Sequence, residues 1–295
     1  MNGVCTAMIT PFLKDGKSVD FEMFKQQIDF QLDAGIKTLV FLGTTGESST
    51  LSEKEKVQIA KFVIKYVNKR AKVVIGTGGN CTSKVIELSK KMQTLGADAL
   101  LIVTPYYNKT TQKGLIEHYT SIADAVDIPI ILYNVPGRTG VNMLPQTVKV
   151  LSKHKNICAI KEASGNIEQI LELSLLINEN FSLLSGDDSL FYTFLSCGGS
   201  GVISVASNII PEQMLEIYDE WNNKNIEKSF KKQQILREFI KNLFIEVNPI
   251  PIKTIMSFCE LDSGEVRLPL TSMEKANEKI LTDSFMKLLN SMQSK

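Results

Sequence analysis

Short segments rich in apolar and β-branched residues alternate with helix-like stretches along the first two-thirds of the chain. In the helix-like stretches, apolar residues recur three or four positions apart, as at Phe21, Phe24, Ile28 and Leu32. Regular alternation predicts parallel strands joined by helical crossovers. Eight such units favour a closed (β/α)8 TIM barrel, although an open doubly wound sheet has similar local patterns. The predicted strands are residues 3–10, 38–45, 72–78, 99–105, 129–134, 157–163, 182–187 and 201–207.

Residues that favour helix ends occur where this pattern requires them. Ser52 and Glu55 have the spacing of a capping box, in which each side chain bonds a free backbone N–H of the first turn. Gly35 and Gly96 follow helix-like stretches, where a left-handed residue commonly ends a helix. Pro211 suits the first turn of the last barrel helix, which we predict over residues 211–224.

The strand pattern stops after residue 207, and the chain from about residue 225 onward is predicted to be helical. Helical periodicity covers residues 230–245 and 271–292, with an interruption at residues 248–251 (NPIP). We therefore predict a (β/α)8 barrel that carries the active site over residues 1–224 and a C-terminal helical domain over residues 225–295. No linker rich in Gly, Ser or Pro separates them, so we expect one compact body.

Composition and charge narrow the classes of function. The 295 residues are 43% hydrophobic and 22% charged, as in a soluble globular protein. Lys plus Arg total 33 and Asp plus Glu total 32, which argues against a nucleic-acid partner. We find neither a secretion signal nor an apolar stretch near the ~20 residues of a membrane span. The five scattered cysteines fit reduced thiols, and we expect a cytoplasmic protein.

Lys161 lies inside the apolar segment 157–164 (ICAIKEAS), which is the sixth predicted strand. Burial disfavours the charged form of an amine, and a neutral amine is a nucleophile that forms Schiff bases with carbonyls. Because side chains alternate along a strand, Glu162 points to the opposite face and cannot pair simply with Lys161. The structural alternatives are a lysine that snorkels from the strand end or one that protects a sheet edge.

In a (β/α)8 barrel the active site forms at the carboxyl ends of the strands. The turn at residues 43–48 (GTTGES), the pair Tyr106 and Tyr107, Tyr133 and Arg138 are all predicted to lie there. The turn could present backbone N–H groups to a carboxylate, Tyr133 could transfer protons and Arg138 could clamp a substrate carboxylate. Each also has a structural interpretation, as a tight connection, a core aromatic residue and a solvated charge.

The two histidines, His118 and His154, have no other metal ligand at motif spacing. This disfavours a zinc-dependent aldolase or hydrolase, and we expect no metal.

Three motifs together resemble the dihydrodipicolinate synthase family, which belongs to the N-acetylneuraminate lyase superfamily of Schiff-base barrels. They are GTTGES at 43–48, YNVPGRT at 133–139 and IKEAS at 160–164. The resemblance covers essentially the whole chain, including GDD at 186–188 and EVNP at 246–249. The first turn and the Tyr-Asn-x-Pro motif are shared across the superfamily, whereas neuraminate lyases lack an arginine at the position of Arg138.

This resemblance implies condensation of pyruvate with L-aspartate 4-semialdehyde in diaminopimelate and lysine biosynthesis, with no metal or organic cofactor. Lys161 would form the Schiff base with pyruvate. Tyr133 would transfer protons in a hydroxyl relay with Thr44 and Tyr107, where Tyr107 reaches the relay of a neighbouring subunit. The family pattern thus implies a tight homodimer at least, or a homotetramer built as a dimer of dimers.

The resemblance also assigns the residues that bind the substrates. Thr45 would hold the pyruvate carboxylate, and Gly186 and Ile203 would line the pyruvate site. Arg138 would bind the carboxylate of the semialdehyde. Two alternatives remain open: a sibling Schiff-base lyase that cleaves sialic acid or a 2-keto-3-deoxy sugar acid, and a catalytically idle barrel that senses a small keto acid. Arg138 argues against the first, and the intact lysine, tyrosine and threonine set argues against the second.

Many family members are inhibited by lysine at a pocket in a dimer interface. The corresponding residues of this chain are Ser48, Ser49, Asn80, Lys84 and Tyr106. Inhibited members commonly have a glutamate and a histidine where this chain has Lys84 and Lys56. A lysine at position 84 would repel the amino groups of the effector, so we predict weak or absent feedback inhibition.

Overall fold

Eight parallel strands close into a barrel in the order in which they occur along the chain. The computed structural model describes residues 1–293. The strands are β1 (Gly3–Ala7), β2 (Thr38–Phe41), β3 (Lys72–Gly76), β4 (Ala99–Val103), β5 (Ile130–Asn134), β6 (Ile157–Glu162), β7 (Ser182–Ser185) and β8 (Gly201–Ser204). Each strand pairs with the next, and β8 closes the barrel against β1, where Ile203 is opposite Cys5. The closed barrel confirms the predicted TIM fold over an open doubly wound sheet.

Every predicted strand is present, and seven of the eight end before their predicted carboxyl ends. Except for Asp187, the residues beyond these ends are glycines or are apolar or hydroxylated, as strand residues often are, but they belong to the loops that follow the strands. Leu42 shows why β2 ends early, because its φ of +58° is incompatible with an extended strand.

Helices surround the barrel and continue beyond it. Within residues 1–293 they are α1 (Phe21–Asp33), α2 (Glu53–Val67), α3 (Thr82–Leu95), α4 (Gln112–Asp124), α5 (Pro136–Thr139), α6 (Pro145–Leu151), α7 (Ile167–Ser174), α8 (Phe191–Ser196), α9 (Pro211–Asn222), α10 (Ile226–Asn242), α11 (Ile250–Phe258) and α12 (Lys275–Gln293). No helix in this part of the chain is long and apolar enough to cross a membrane.

The predicted helix-end residues act as expected. The Ser52 hydroxyl accepts a hydrogen bond from the Glu55 N–H at 3.3 Å, and Glu55 Oε2 accepts one from the Ser52 N–H at 2.8 Å. Gly35 and Gly96 both adopt a φ of +98° just after α1 and at the end of α3. Pro211 is the first residue of α9, where its missing N–H breaks no helical hydrogen bond.

The core has two layers because side chains alternate between the two faces of each strand. In β5, Ile131 and Tyr133 belong to a small cluster inside the barrel, whereas Ile130 and Leu132 pack outward against the helices. The inner cluster contains Cys5, Ala7, Val40, Val74, Ala99, Leu101, Ile131, Tyr133, Val135, Ala159, Leu184 and Ile203. Apolar side chains therefore fill the interior of the barrel, and the polar residues of the predicted site lie at the carboxyl ends of the strands.

The C-terminal helices pack on the barrel and on one another, with α10 against α9 and α12. Helix α11 begins within the predicted interruption at residues 248–251. Pro249 and Pro251 lie at its cap and in its first turn, where a proline has no hydrogen-bonding role to lose. The interruption is therefore the start of a helix, and the prolines set its position.

Candidate active site

Lys161 and Tyr133 lie side by side inside the barrel. They are paired residues of β6 and β5, and Lys161 Nζ lies 4.3 Å from the centre of the Tyr133 ring. Only 5% of Lys161 and 6% of Tyr133 are exposed. Because the face of an aromatic ring attracts a cation, this position suits an amine that is converted into a cationic iminium.

Glu162 occupies the outer face of the same strand. It is fully buried, and its Oε2 accepts hydrogen bonds from Asn134 Nδ2 at 2.9 Å and from Gln169 Nε2 at 3.1 Å. Its other oxygen accepts one from the Ser164 N–H at 2.6 Å. The carboxylate is thus bonded away from Lys161, as the period-two pattern of the strand predicts.

A cavity of about 290 Å³ opens at the carboxyl ends of the strands. Thr44 lines it from the connection after β2, Tyr133 from β5 and Arg138 from the connection after β5. Its other wall comes from the C-terminal region, through Val247, Asn248, Pro249, Pro269 and Leu270. The barrel alone therefore does not enclose the cavity, and residues beyond β8 complete it.

The turn at residues 43–48 is held close to the barrel. Its backbone closes through Glu47 N–H to the Thr44 carbonyl at 3.1 Å and Ser48 N–H to the Gly43 carbonyl at 3.3 Å. A Cβ at Gly46 would lie 3.2 Å from two backbone atoms, so glycine permits this close approach. Thr44 is half-buried and lines the cavity, whereas Thr45 is 3% exposed.

Asn248 connects Thr45 and Arg138. Its Nδ2 donates to the Thr45 hydroxyl at 3.0 Å, and its main-chain carbonyl accepts from Arg138 Nη2 at 3.2 Å. Asn248 is 6% exposed, and its Oδ1 has no hydrogen-bond partner among the described residues. The sequence placed Asn248 only within the EVNP and NPIP stretches, because no periodicity links the C-terminal region to the barrel loops.

Gly186 follows β7 and lies next to Lys161, and Ile203 belongs to β8. A Cβ at Gly186 would lie 2.7 Å from the Ala163 Cβ and 3.1 Å from Lys161 Cε, so any side chain there would displace the lysine. Ile203 is 1% exposed and belongs to the inner cluster with Tyr133. Neither residue lines the cavity itself.

Tyr107 lies apart from the other predicted catalytic residues. It is 92% exposed, has a φ of +69° and does not line the cavity. A positive φ is rare for a bulky residue and accompanies functional constraint. Within one chain the structure brings Thr44 and Tyr133 to the cavity, and Tyr107 remains on the surface.

The residues predicted for an effector pocket are only partly assembled. Ser48, Ser49 and Tyr106 line the outer part of the cavity together with Lys56, whose pKa is lowered by burial. Asn80 lies next to them and donates to the Tyr106 carbonyl at 3.3 Å. Lys84 is exposed and does not line the cavity.

Both histidines have local partners. His118 Nδ1 is 2.8 Å from the Thr82 hydroxyl, and burial lowers the pKa of His118 to about 4. His154 Nε2 is 3.0 Å from Asp124 Oδ1. Residues 1–293 contain no group of three or more His, Cys, Asp or Glu side chains placed to hold a metal ion.

Comparison with known proteins gives one consistent result. The family profile of the dihydrodipicolinate synthetase family matches residues 1–288. A 4-hydroxy-tetrahydrodipicolinate synthase from Caldicellulosiruptor saccharolyticus is 51% identical over 279 residues, which are 95% of this chain and 94% of the relative. One from Alkaliphilus oremlandii is 47% identical over 285 residues, 97% of this chain and 98% of the relative.

Solved structures agree with the sequence comparisons. The crystal structure of dihydrodipicolinate synthase from Acinetobacter baumannii complexed with pyruvate is 39% identical and superposes with a TM-score of 0.94. The match covers 97% of this chain and 98% of that one. The similarity therefore extends over the barrel and the C-terminal helices alike.

Proposed function

Because the chain belongs to the dihydrodipicolinate synthetase family, we propose that it condenses pyruvate with L-aspartate 4-semialdehyde on Lys161. The chain is an aldolase-type lyase of lysine and diaminopimelate biosynthesis, like its curated relatives, which are 4-hydroxy-tetrahydrodipicolinate synthases. One observation carries the proposal. The Lys161 amine lies against the Tyr133 ring, next to a cavity that Thr44 and Arg138 line.

The chemistry begins with attack of the Lys161 amine on the keto carbon of pyruvate. Loss of water gives an iminium, which withdraws electrons from the adjacent methyl group. Loss of a methyl proton gives an enamine, whose carbon adds to the aldehyde carbon of the semialdehyde. The amino group of the semialdehyde then attacks the imine carbon, which closes the ring and releases Lys161.

Proton transfer falls to the hydroxyl groups next to Lys161. The Tyr133 ring is already in contact with the amine, so its hydroxyl is available for the protons that carbinolamine formation and dehydration move. Thr44, in the turn at residues 43–48, lines the same cavity as Tyr133. Positioned general acid–base groups contribute on the order of 10²- to 10⁴-fold to such steps.

Two residues bind the carboxylates of the two substrates. Thr45 holds the pyruvate carboxylate together with backbone N–H groups of its turn, and Gly186 and Ile203 shape the pocket around the methyl group. Arg138 binds the semialdehyde carboxylate, because the planar guanidinium matches a carboxylate with paired hydrogen bonds. The bond from Nη2 to the Asn248 carbonyl supports this role by fixing the plane of the guanidinium.

Self-association completes the relay in this proposal. The exposed Tyr107 of one copy enters the active site of a second copy, which makes a tight dimer the smallest active unit. The apolar residues Ile167, Leu171 and Leu175 on and after α7 are 41%, 51% and 84% exposed and are four positions apart. They support a second contact, which joins two dimers into a homotetramer.

The same proposal includes the organisation and location of the chain. Residues 1–224 form the catalytic barrel and residues 225–295, of which 294 and 295 lie outside the described residues, form a C-terminal helical domain that contributes to the cavity wall. The five cysteines are free thiols, which supports a location in the reducing cytoplasm. The residues assigned here need no metal or organic cofactor.

Borohydride trapping tests the proposed function. Incubation with pyruvate and borohydride should reduce the Schiff base, and peptide mass spectrometry should find the adduct on Lys161. The Lys161→Ala variant should form none, and adduct formation in that variant would refute the assignment. A second assay distinguishes this enzyme from a sibling lyase. We expect turnover with pyruvate and aspartate semialdehyde and no cleavage of sialic acid or 2-keto-3-deoxy sugar acids. Pyruvate trapping on Lys161 with neither turnover nor cleavage would indicate a keto-acid sensor.

A further inference from the structure

A buried ion pair joins the turn that carries Thr44 and Thr45 to the C-terminal helices. Lys253 Nζ, from α11, lies 2.9 Å from Glu47 Oε1, and both side chains are fully buried. The desolvation cost of a buried pair often exceeds its electrostatic gain, so stability alone is a weak reason for it. Its position, close to the proposed relay residue Thr44 and the proposed substrate-binding residue Thr45, points to a role in the site.

Lys253 is bonded on several sides. Its Nζ also donates to the Thr10 carbonyl at 2.9 Å and lies 4.2 Å from the centre of the Phe12 ring. Thr10 in turn donates from its hydroxyl to the Gly46 carbonyl at 2.7 Å. The ammonium therefore holds the turn through Glu47 directly and through Thr10 and Gly46 indirectly.

Glu47 is fixed at both its side chain and its backbone. Its φ of +52° is unfavourable for a residue with a Cβ, and the fold must supply contacts that hold it there. Besides Lys253, its Oε2 accepts a hydrogen bond from the Arg267 N–H at 3.1 Å. Because the Glu47 N–H bonds the Thr44 carbonyl at 3.1 Å, a shift of Glu47 displaces Thr44 as well.

A residue just before α11 makes a second contact with the turn. Asn248 lies two residues before the start of α11 and donates to the Thr45 hydroxyl at 3.0 Å. Lys253, further along the helix, holds the other end of the turn. Helix α11 and the residue two positions before it thus contact the turn at Glu47 and at Thr45.

We propose that Glu47 and Lys253 are positioning residues for pyruvate binding: their ion pair sets the turn so that Thr44 and Thr45 face Lys161. The C-terminal helices are then a working part of the active site, although they carry none of the reacting groups. This inference rests on the proposed function of Thr44, Thr45 and Lys161.

Paired variants test it. Glu47→Gln and Lys253→Met each leave one buried charge without its partner, whereas the double variant removes both charges and keeps the side-chain volumes similar. The pyruvate concentration that gives half-maximal borohydride trapping should rise about tenfold in each single variant, which corresponds to about 1.4 kcal/mol. The double variant should regain thermal stability. Its pyruvate concentration for half-maximal trapping should stay raised, because the ion pair between Glu47 and Lys253 is still missing.

The control is the exposed pair of Lys287 and Glu238, whose side chains are 72% and 59% exposed. Lys287→Met should leave half-maximal trapping unchanged. A purely structural pair predicts a lower melting temperature with unchanged pyruvate binding, and that result in any folded variant would overturn the inference. If the unmodified protein traps no pyruvate on Lys161, the proposed function fails instead, so the two failures are distinguishable.

Discussion

Arg138 and Asn248 are joined by a hydrogen bond from the guanidinium Nη2 to the main-chain carbonyl at 3.2 Å. Asn248 comes just before α11, more than a hundred residues after Arg138 in the chain. Since its side chain also bonds Thr45, one residue of the C-terminal region contacts both proposed carboxylate-binding residues. The two substrate sites are therefore fixed relative to each other from outside the barrel.

Replacing Arg138 with lysine should weaken binding of aspartate semialdehyde without affecting pyruvate. A lysine cannot keep the bond to the Asn248 carbonyl and also bind a carboxylate in a paired geometry. We expect the KM for aspartate semialdehyde to rise roughly 10- to 100-fold, which corresponds to a loss of about 1.4 to 3 kcal/mol. Pyruvate trapping by borohydride should be unchanged.

The matched control for this change is the exposed Arg237, in α10. Arg237→Lys should leave both KM values as they are in the unmodified enzyme. An unchanged KM for the semialdehyde in Arg138→Lys, measured by the coupled assay, would show that Arg138 does not bind the second substrate.

Gly186→Ala should slow Schiff-base formation. The added Cβ would lie 2.7 Å from the Ala163 Cβ and 3.1 Å from Lys161 Cε, so the lysine must move from its position. Since a misplacement of about 1 Å costs on the order of 100-fold in rate, a shift of a few tenths of an ångström should lower kcat/KM by roughly 10-fold or more. Gly79→Ala serves as control, because its Cβ would meet only Val85 Cγ2 at an ordinary 3.4 Å. Normal trapping in Gly186→Ala would contradict the proposed site.

Tyr133→Phe should impair proton transfer while leaving the packing around Lys161 intact. The ring that contacts Lys161 Nζ at 4.3 Å is kept, whereas the hydroxyl is lost. We expect kcat to fall by about 10²- to 10⁴-fold, the usual contribution of a general acid–base group. The melting temperature should change little. A kcat within threefold of the unmodified enzyme would exclude Tyr133 from the relay.

Feedback inhibition by lysine should be weak or absent. Among the residues that correspond to the family's effector pocket, Lys84 is exposed, and its charge would repel the amino groups of lysine. Lys84→Glu should increase sensitivity to lysine in the coupled assay, because it replaces repulsion with attraction. Strong inhibition of the unmodified enzyme by sub-millimolar lysine would overturn this prediction.

The barrel and the placement of its chemistry could be predicted because both depend on local pattern. Period-two alternation puts Lys161 and Glu162 on opposite faces, and the structure has Glu162 bonded to Asn134, Ser164 and Gln169. Strand ends were less predictable, since loop residues such as Leu42 are as apolar as strand residues. The contacts of Asn248 and Lys253 could not be predicted, because they join segments about two hundred residues apart with no repeating pattern between them.

Asp262 should make stability depend on pH. It is 5% exposed, and burial raises its pKa to about 6, with the Glu47 carboxylate adding to the shift and the Lys253 ammonium opposing it. Its Oδ2 accepts from the Gly264 N–H at 3.0 Å, while Oδ1 has no hydrogen-bond partner within residues 1–293. The folded protein therefore binds a proton at this carboxyl more readily than the unfolded chain does.

The sign of the effect follows from this difference. The unfolded carboxyl loses its proton near pH 4 and the folded one near pH 6, so stability falls as the pH rises through that window. Asp262→Asn keeps an acceptor for Gly264 without the charge. At pH 7 it should raise the free energy of unfolding by up to about 3 kcal/mol, and near pH 4 the gain should vanish. Urea unfolding at both pH values measures this, with the exposed Asp283→Asn as control. A difference between Asp262→Asn and the unmodified protein that is the same at pH 4 and pH 7 would show that the carboxyl does not titrate in this range.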